Sequence, residues 1–378
     1  MPAGVETDAL LPVFRDGVAR FLRDTVVPAF GEWRERSAMP RAFFTQAGAA
    51  GILCPGVPAA FGGAEADFRF NAAVIEELAR TGMSPAVLCV HSDILPGYIA
   101  KWGTPAQQAA WLPRLVTGEA VGAIAMSEPG AGSDLQAMAT AARRVDGGYR
   151  ISGQKTFISN GGLADLVVLA AKTDPGAGAA GISLFLIDAA TPGFARGRRL
   201  RKLGMHEQDT SELFFDDMFV PEDALLGAEG AGFRIMMEEL PTERLSLAVG
   251  AVAAAETALE MTIAYAKERV IFGKPLIAYQ IHSFKLAELR AAVRAARAFV
   301  DGGVALHVAG GLNAVDAAEM KLFATNLQCR VVDDCLQIFG GYGYMDEYPI
   351  SRMYADARVQ RIYGGSDEVM KLIISRTL

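Results

Sequence analysis

The sequence predicts an α+β multidomain protein in which a helical region, a β-rich region and a second helical region follow one another. Apolar residues recur at helical spacing up to about residue 120, and the period shortens near Val121. Beyond Phe233 the patterns become long and helical again, with brief Gly-rich connections. The 378 residues are enough for two or three compact units. We therefore predict domains at 1–120, 121–228 and 229–378.

The first region is predicted to be helical throughout. Thr104 and Gln107 have the spacing of a capping box, with Thr104 at the N-cap and Gln107 at position N3 of a following helix. Helical patterns cover residues 5–35, 41–50, 70–80 and 86–101. These helices indicate a packed α-domain and identify no function.

The middle region is predicted to consist of short strands. Asp146-Gly147-Gly148 is typical of a hairpin turn, and Tyr149 and Ile151 then alternate with polar residues. Further strand patterns cover residues 121–126, 166–172, 182–187 and 213–220. The result is a β-rich domain that ends in the glycines around Gly230.

The last region is predicted to form an antiparallel helical bundle. Pro241 suits the first turn of a helix, because it has no N–H and its φ is preset, so we expect a long helix to begin there. The helical patterns cover residues 230–239, 241–268, 281–308, 314–339, 350–358 and 367–376.

Composition excludes several classes of protein. A hydrophobic fraction of 51% excludes disorder over most of the chain, and a net charge of -7 with no basic tract argues against a nucleic-acid partner. The longest uncharged apolar run, 247–255, is too short to cross a bilayer, and Glu6 and Asp8 stand where a signal peptide would be basic. We therefore expect a cytoplasmic protein with no membrane span.

Cysteine and histidine spacing predicts no metal site. The four cysteines lie in apolar contexts without a C-x-x-C pair, and the four histidines are scattered. We therefore expect the cysteines to be reduced thiols in the core.

Glu243 is the first candidate for chemistry. On a helical wheel it lies above Leu247, Gly250, Ala254 and Met261, which form a face of small and apolar side chains. A carboxylate on such a face is partly desolvated, which raises its pKa toward the range of a general base. The alternative is an N-terminal glutamate that the helix dipole stabilises.

Several Gly-rich or aromatic loops could hold an anion or a flat ring. The loop 128–134 has glycines and hydroxyls that expose backbone N–H groups, and strand alternation places Phe157 and Ser159 on one face. The turns at 269–275, 337–341 and 363–368 combine glycine with charged or aromatic residues. Ordinary turns and an ordinary strand would explain each segment taken alone.

Together and in this order, these segments resemble the acyl-CoA dehydrogenase family over nearly the whole chain. The resemblance implies an N-terminal α-domain, a middle β-domain of barrel or sandwich type and a C-terminal four-helix bundle. It also implies a homotetramer that binds FAD between domains and between subunits. The implied partners are an acyl-CoA substrate and electron transfer flavoprotein as the electron acceptor.

The resemblance assigns roles to the loop residues. Phe157 would pack on the isoalloxazine, and Ser159 would hydrogen-bond near its N5. Residues lining the flavin and the thioester would be Ile124, Met126, Ser127, Gly132 and Ser133. Residues holding the ADP half of an FAD bound mainly by a neighbouring subunit would be Arg269, Phe272, Gln280, Gln337, Gly340 and Gly341.

Further roles fall near the last helix. Ser366 and Glu368 would close over the FAD diphosphate. Arg244 would face the adenine end of CoA, and Tyr363 and Ser133 would contact the substrate.

One departure from the family pattern concerns the catalytic base. Most relatives have a glutamate directly after the tyrosine of the C-terminal turn, where this chain has Gly364. The long-chain and isovaleryl-CoA branches lack that glutamate and use one near the start of the long bundle helix, the position of Glu243. Gly364 keeps its backbone N–H, which in relatives stabilises the thioester oxygen together with a ribityl hydroxyl of FAD.

The implied reaction is FAD-dependent α,β-dehydrogenation of an acyl-CoA to trans-2-enoyl-CoA, in which Glu243 takes the proton and flavin N5 takes the hydride. Two alternatives stay open. The chain could be a catalytically silent flavin-binding subunit, because of Gly364, or an acyl-CoA oxidase that reduces oxygen.

Overall fold

The computed structural model describes residues 3–84 and 86–378, and it has the predicted order of helical, β and helical regions. The change from helix to strand falls between Val116 and Gly122, and the change back falls between Leu226 and Gly232. The α+β multidomain class that the sequence predicts is confirmed.

Among its described residues, the first region contains seven α-helices and two π-helical segments. The helices are α1 (Ala3–Phe21), α2 (Val27–Arg36), α3 (Arg41–Ala49), α4 (Phe68–Arg80), α5 (Ala86–Leu88), α6 (Leu95–Trp102) and α7 (Pro105–Val116). The π-helical segments Leu22–Val26 and Cys89–Ile94 join α1 to α2 and α5 to α6. The capping box is present as predicted, since the side chain of Thr104 accepts from Gln107 N–H and that of Gln107 accepts from Thr104 N–H.

The middle region is one eight-stranded sheet. The strands are β1 (Gly122–Ala125), β2 (Ala141–Val145), β3 (Gly148–Ser159), β4 (Leu166–Lys172), β5 (Ile182–Asp188), β6 (Phe194–Arg199), β7 (Thr210–Pro221) and β8 (Leu225–Leu226). Their order is β6-β7-β3-β2-β4-β5-β8, and β1 pairs in parallel with β4. The strand pattern did not reveal β6, because four of its six residues are exposed and three are arginine.

The sheet curls around a core of its own. The rings of Tyr149 on β3 and Phe185 on β5 are 5.0 Å apart, although two strands lie between β3 and β5 in the sheet. The opposite faces of β4 and β5, including Val168 and Leu184, pack against the core of the N-terminal helices. The barrel-like domain is therefore attached to the first helical region by a continuous apolar interface.

The last region is built around one helix of 37 residues. Its helices are α8 (Gly232–Glu268), α9 (Gln280–Val308), α10 (Ala314–Phe339), α11 (Pro349–Ala357) and α12 (Asp367–Ser375), and a short hairpin of β9 (Val270–Ile271) and β10 (Lys274–Pro275) joins α8 to α9. Apolar residues of α8, α9 and α10 share one core with α4, for example through Ile75.

The prediction that a helix begins at Pro241 is wrong. Pro241 lies inside α8, which begins at Gly232 and continues through it to Glu268. An interior proline costs a helix about 3 kcal/mol. Buried side chains on both sides of it, such as Ile235 and Leu245, hold the two halves in place, so tertiary packing outweighs the local signal.

Helix α8 also bears on the membrane prediction. Among residues 3–84 and 86–378, α8 alone is long and apolar enough to cross a membrane, and 67% of its most apolar 18-residue stretch is buried inside the protein. The length of the uncharged run 247–255 therefore underestimated the apolar stretch of α8, because a membrane-spanning helix can contain a few charged residues. Burial of this kind is typical of the core helix of a soluble protein, and the absence of a span stays a prediction.

Strand β6 and the loop after it carry a basic run that the charge analysis overlooked. Five of the seven residues from Arg196 to Lys202 are arginine or lysine. Several of them have acceptors within the protein: Arg198 pairs with Glu212 at 3.2 Å, and Arg199 pairs with Asp209 at 3.4 Å. The expectation of no nucleic-acid partner therefore rests on net charge and stays a prediction.

The cysteines are reduced, as predicted. Cys54, Cys89 and Cys335 are buried, and Cys329 is half-buried. Within the described part of the chain, no group of three or more His, Cys, Asp and Glu side chains could hold a metal ion.

Candidate active site

Glu243 lies on α8 about three turns after the helix begins at Gly232. The alternative role for Glu243, in which an N-terminal helix dipole stabilises it, is therefore wrong, because the dipole acts only within the first turn. Desolvation raises the pKa of Glu243 to about 7. The hydroxyl of Tyr98 on α6 donates to Oε1 of Glu243 at 2.9 Å. Glu243 is thus a half-buried carboxylate that is poised near neutral pH.

The C-terminal turn reaches the same face of α8. A Cβ built on Gly364 would lie 2.5 Å from Cδ1 of Leu247, which is one turn after Glu243. Gly364 has a φ of 64°, in the left-handed region that glycine adopts without strain. Gly364 therefore lies over Leu247, one turn of α8 after Glu243, as the resemblance implies.

Two buried cations hold this turn. Nε of Arg244 donates to the carbonyl of Gly364 at 3.2 Å, and Nζ of Lys321 donates to the carbonyl of Gly365 at 2.8 Å. Within the described residues, the N–H of Gly364 donates to no protein acceptor. With both carbonyls fixed, this N–H is available to a ligand.

The expected place of Arg244 is incorrect. The residue is only 4% exposed, and its guanidinium lies beneath the turn at Gly364. A side chain that is buried against a carbonyl inside the protein cannot face the adenine end of CoA. Desolvation lowers the pKa of Arg244.

A small cavity lies beside the turn. Ile75, Cys89, Leu247, Gly250 and Gln360 line it together with two further residues, and its volume is about 10 Å³. The hydroxyl of Tyr363 donates to Oε1 of Gln360 at 2.9 Å, so Tyr363 holds one of the residues that line the cavity. The small-residue face that the helical wheel predicts is present at Gly250, which lines the cavity together with Leu247.

The loop 127–134 and the end of β3 around Phe157 and Ser159 form an edge that we call the β-domain rim. A buried ion pair, which the sequence analysis missed, organises this rim. Nζ of Lys155 on β3 contacts Oε1 of Glu128 at 2.8 Å and the carbonyl of Met126 at 2.9 Å. The carboxylate of Glu128 also accepts from the N–H groups of Ala139 and Thr140. The pair fixes both ends of the Gly-rich loop against β3.

The same contacts bring the predicted flavin residues together. Thr156 N–H donates to the carbonyl of Ser127 at 3.0 Å, so the end of β1 with Ile124 and Met126 lies beside β3. Ser133 and Gly132 are exposed, and a side chain on Gly132 would meet no heavy atom within 4 Å.

Phe157 and Ser159 lie on β3, as expected, but the strand is irregular there. The register with β7 shifts between Lys155 and Ile158, and Phe157 has a φ of 60°. The bulge turns the Phe157 ring outward, and this residue is 70% exposed. An exposed phenylalanine next to an open Gly-rich loop fits a flat aromatic ring.

A second cradle lies at the far end of α8. Arg269, Gly340 and Gly341 line a cavity of about 490 Å³. The guanidinium of Arg269 lies 5.8 Å from the ring centroid of Tyr342. Three aromatic residues complete the wall: Phe339, which belongs to the predicted turn at 337–341, and Tyr265 and Tyr342, which the sequence analysis did not select. Side chains on Gly340 or Gly341 would meet no heavy atom within 4 Å, so a phosphate can approach the backbone.

Three other residues assigned to the ADP half do not line this cradle in the single chain. Phe272 is 94% exposed at the tip of the β9–β10 hairpin, and Gln280 and Gln337 are exposed on α9 and α10. Such positions are open to a second subunit.

Ser366 and Glu368 mark the start of the last helix. Ser366 is the N-cap of α12, and its hydroxyl accepts from Val369 N–H at 3.4 Å. Glu368 is exposed in the first turn. The capped N-terminus follows directly on Gly364 and Gly365.

Comparisons with known proteins match the whole architecture. Family models described as the acyl-CoA dehydrogenase N-terminal, middle and C-terminal domains match residues 12–119, 123–218 and 230–378. The long-chain specific acyl-CoA dehydrogenase, mitochondrial, of Mus musculus is 43% identical over 368 residues, which are 97% of this chain and 86% of the mouse protein.

Solved structures agree. An acyl-CoA dehydrogenase from Geobacillus kaustophilus is 44% identical, with 97% of each chain covered and a TM-score of 0.95. A glutaryl-CoA dehydrogenase from Mycobacterium smegmatis in complex with FADH2 is 28% identical, covers 97% of this chain and 94% of its own, and has a TM-score of 0.91. This chain belongs to the acyl-CoA dehydrogenase family, whose members are FAD-dependent oxidoreductases acting on the CH–CH bond of acyl-CoA thioesters.

Proposed function

We propose that this chain converts an acyl-CoA to trans-2-enoyl-CoA with Glu243 as the base that removes the Cα proton. The observation that carries the proposal is the position of Glu243, a desolvated carboxylate on α8 one helical turn before Leu247, the residue that the Gly364 turn packs against. A pKa of about 7 suits this role, because the group is ionised in much of the population at neutral pH and is still basic enough to accept a proton.

The proton and the thioester oxygen are handled by different parts of the chain. The Cα proton passes to a carboxylate oxygen of Glu243, while negative charge develops on the thioester oxygen. The N–H of Gly364 is the donor we assign to that oxygen, since it has no acceptor within the described residues. Arg244 fixes the Gly364 carbonyl and thereby the direction of the turn.

The residues of the β-domain rim fit the family's cofactor. Phe157 offers an exposed ring, and the loop from Ser127 to Ser133 offers backbone groups and hydroxyls beside it. When bound, FAD supplies the acceptor for the hydride that leaves Cβ. Ser159 is the β3 residue we assign to the polar edge of the ring, and Ser366 and Glu368 at the start of α12 to its diphosphate.

The length of α8 supports a cofactor shared between subunits. Arg269 follows Glu243 by 26 residues of continuous helix, which corresponds to about 39 Å. One FAD beside Glu243 cannot extend that far. We therefore propose that Arg269, Gly340 and Gly341 of one chain hold the ADP half of a cofactor in a neighbouring chain, within a homotetramer.

Sharing of this kind predicts complementation between two defective chains. An Arg269→Ala chain should bind FAD weakly, and a Glu243→Gln chain should bind it without reacting. Hybrid oligomers should contain sites with an intact Glu243 from one chain and an intact Arg269 from the other. Co-expression with two purification tags should therefore give activity that neither parent shows. Hybrids without activity would place Arg269 and Glu243 in the same site of one chain.

The reaction itself is tested by anaerobic mixing of the FAD-loaded protein with straight and branched acyl-CoAs of several lengths. We expect the visible absorbance of the flavin to bleach with at least one thioester and the product to be a trans-2-enoyl-CoA. Electron transfer flavoprotein should then reoxidise the flavin, whereas stoichiometric peroxide in air would indicate an oxidase. A flavin that no thioester bleaches would contradict the proposal.

A further inference from the structure

Helices α6 and α8 are joined by two parallel hydrogen bonds. The hydroxyl of Tyr98 donates to Oε1 of Glu243 at 2.9 Å, and Nε1 of Trp102 donates to Oε1 of Glu239 at 2.9 Å. Tyr98 and Trp102 are four residues apart on α6, and Glu239 and Glu243 are four residues apart on α8. Because residues at this spacing share a face of a helix, both bonds cross the same interface.

The two bonds differ in their surroundings. Tyr98 has no exposed surface, and burial raises its pKa well above the usual value, so its O–H remains a donor. The Glu239 carboxylate is paired with a cation, since Nζ of Lys101 lies 3.2 Å from its Oε1. The indole of Trp102 lies under the cations of Lys101 and Arg234, each 5.0 Å from its centroid. The bond from Trp102 thus holds a carboxylate that is paired with a cation, and the bond from Tyr98 holds the proposed base.

We propose that Tyr98 is a positioning residue that holds one oxygen of Glu243 and leaves the other to take the substrate proton, while Trp102 holds Glu239 as a second carboxylate one helical turn before that base. The inference rests on the proposed role of Glu243 as the base. It adds that two residues of α6, Tyr98 and Trp102, control the orientation and the ionisation of that base.

The charged and titratable groups around Glu243 support this division. Desolvation is the main cause that raises the pKa of Glu243, and the hydrogen bond from Tyr98 lowers it. On α8 itself, Arg244 lowers this pKa and Glu239 raises it. The thiol of Cys89, on the π-helical segment, also faces Glu243, and burial keeps this thiol protonated by raising its pKa. Tyr98 and Glu239 therefore act on the base in opposite directions.

The inference can be tested because removing Tyr98 and removing Glu239 should shift the pKa of Glu243 in opposite directions. Without the Tyr98 hydroxyl, the ionised form of Glu243 loses a donor, its pKa rises, and the acid limb of the pH–rate profile moves to higher pH. Without the Glu239 charge, the pKa of Glu243 falls, and the acid limb moves to lower pH. General loosening of the α6–α8 interface would move both variants the same way.

The experiment compares Tyr98→Phe, Glu239→Gln and Tyr149→Phe as FAD-loaded enzymes. Tyr149→Phe is the matched control, because Tyr149 is a buried tyrosine whose hydroxyl donates to Glu229 at 3.0 Å in the β-domain. We expect the acid limb of kcat to shift up by about one pH unit in Tyr98→Phe, which is about tenfold in rate below the pKa, and to shift down in Glu239→Gln. KM should stay unchanged in all three variants. The pH–rate profile of Tyr149→Phe should equal that of wild type.

A second readout does not depend on turnover. Infrared titration of the carboxylic-acid band that disappears in Glu243→Gln reports the ionisation of Glu243 directly, and it should shift in the same directions. Unchanged profiles for Tyr98→Phe and Glu239→Gln, or shifts of the same sign, would overturn the inference while the base assignment stands. If Tyr98→Phe does not fold, the sign of the Glu239→Gln shift decides. Wild-type rates in Glu243→Gln would remove the base assignment and the inference with it.

Discussion

Replacing Glu243 by glutamine should slow flavin reduction by acyl-CoA by about 10²–10⁴-fold, the usual contribution of a general base. Glutamine has nearly the same shape, and its amide oxygen can still accept from the Tyr98 hydroxyl. The variant should therefore fold, bind FAD and bind substrate, while the Cα proton has no acceptor. Stopped-flow absorbance under anaerobic conditions measures the rate, and the Kd for acyl-CoA should change little.

Glu260→Gln provides the control for this prediction. Glu260 is an exposed glutamate on the same helix, so its replacement changes the charge of α8 equally without touching the site. Its rate should equal that of wild type. A Glu243→Gln enzyme that reduces its flavin as fast as the Glu260→Gln enzyme would rule out Glu243 as the base.

The structure also explains why the base is not placed after Tyr363. Position 364 has a left-handed φ, and a Cβ there would overlap Leu247 Cδ1 at 2.5 Å. A glutamate at 364 would need Leu247 to move and the turn to accept strain. Glycine at 364 avoids both the strain and the contact with Leu247, and Glu243 lies one turn before Leu247.

The regular elements could be read from the sequence because their periods are strong and their ends are marked. Helix α10 and strand β4 have the predicted bounds, Ala314–Phe339 and Leu166–Lys172. Pro241 misled the prediction, because its local preference for a first turn is a few kcal/mol and the packing of a 37-residue helix exceeds it. Local signals decide an element only where tertiary contacts do not oppose them.

The site was only partly predictable, for a related reason. The face of Glu243 follows from helical spacing, so its desolvation could be anticipated. Its partner Tyr98 is 145 residues away in the chain, and no spacing rule connects them. The burial of Lys155 and Lys321 is likewise invisible in sequence, because lysine is ordinarily exposed and becomes buried only where a specific acceptor waits.

Replacing Lys155 by methionine should destabilise the protein by about 3–5 kcal/mol, the cost of leaving one partner of a buried ion pair uncompensated. The side chains of Lys155 and Glu128 are 0% and 5% exposed, so water cannot replace the lost ammonium. Burial lowers the pKa of Lys155 to about 8, so the ammonium is still charged at pH 7, where urea unfolding should be measured. FAD content should fall as well, because the loop after Met126 loses its anchor.

Arg198→Met is the matched control, since it removes a cation from an exposed pair with Glu212 in the same domain. Exposed pairs contribute about 0–1 kcal/mol, so this variant should unfold close to wild type. Glu128→Gln combined with Lys155→Met should cost less than the sum of the single changes, because neither charge is then left alone. Equal losses in Lys155→Met and Arg198→Met would mean that the buried pair does not anchor the loop. A selective loss would identify Lys155 as the residue that shapes the flavin-facing rim without touching the substrate.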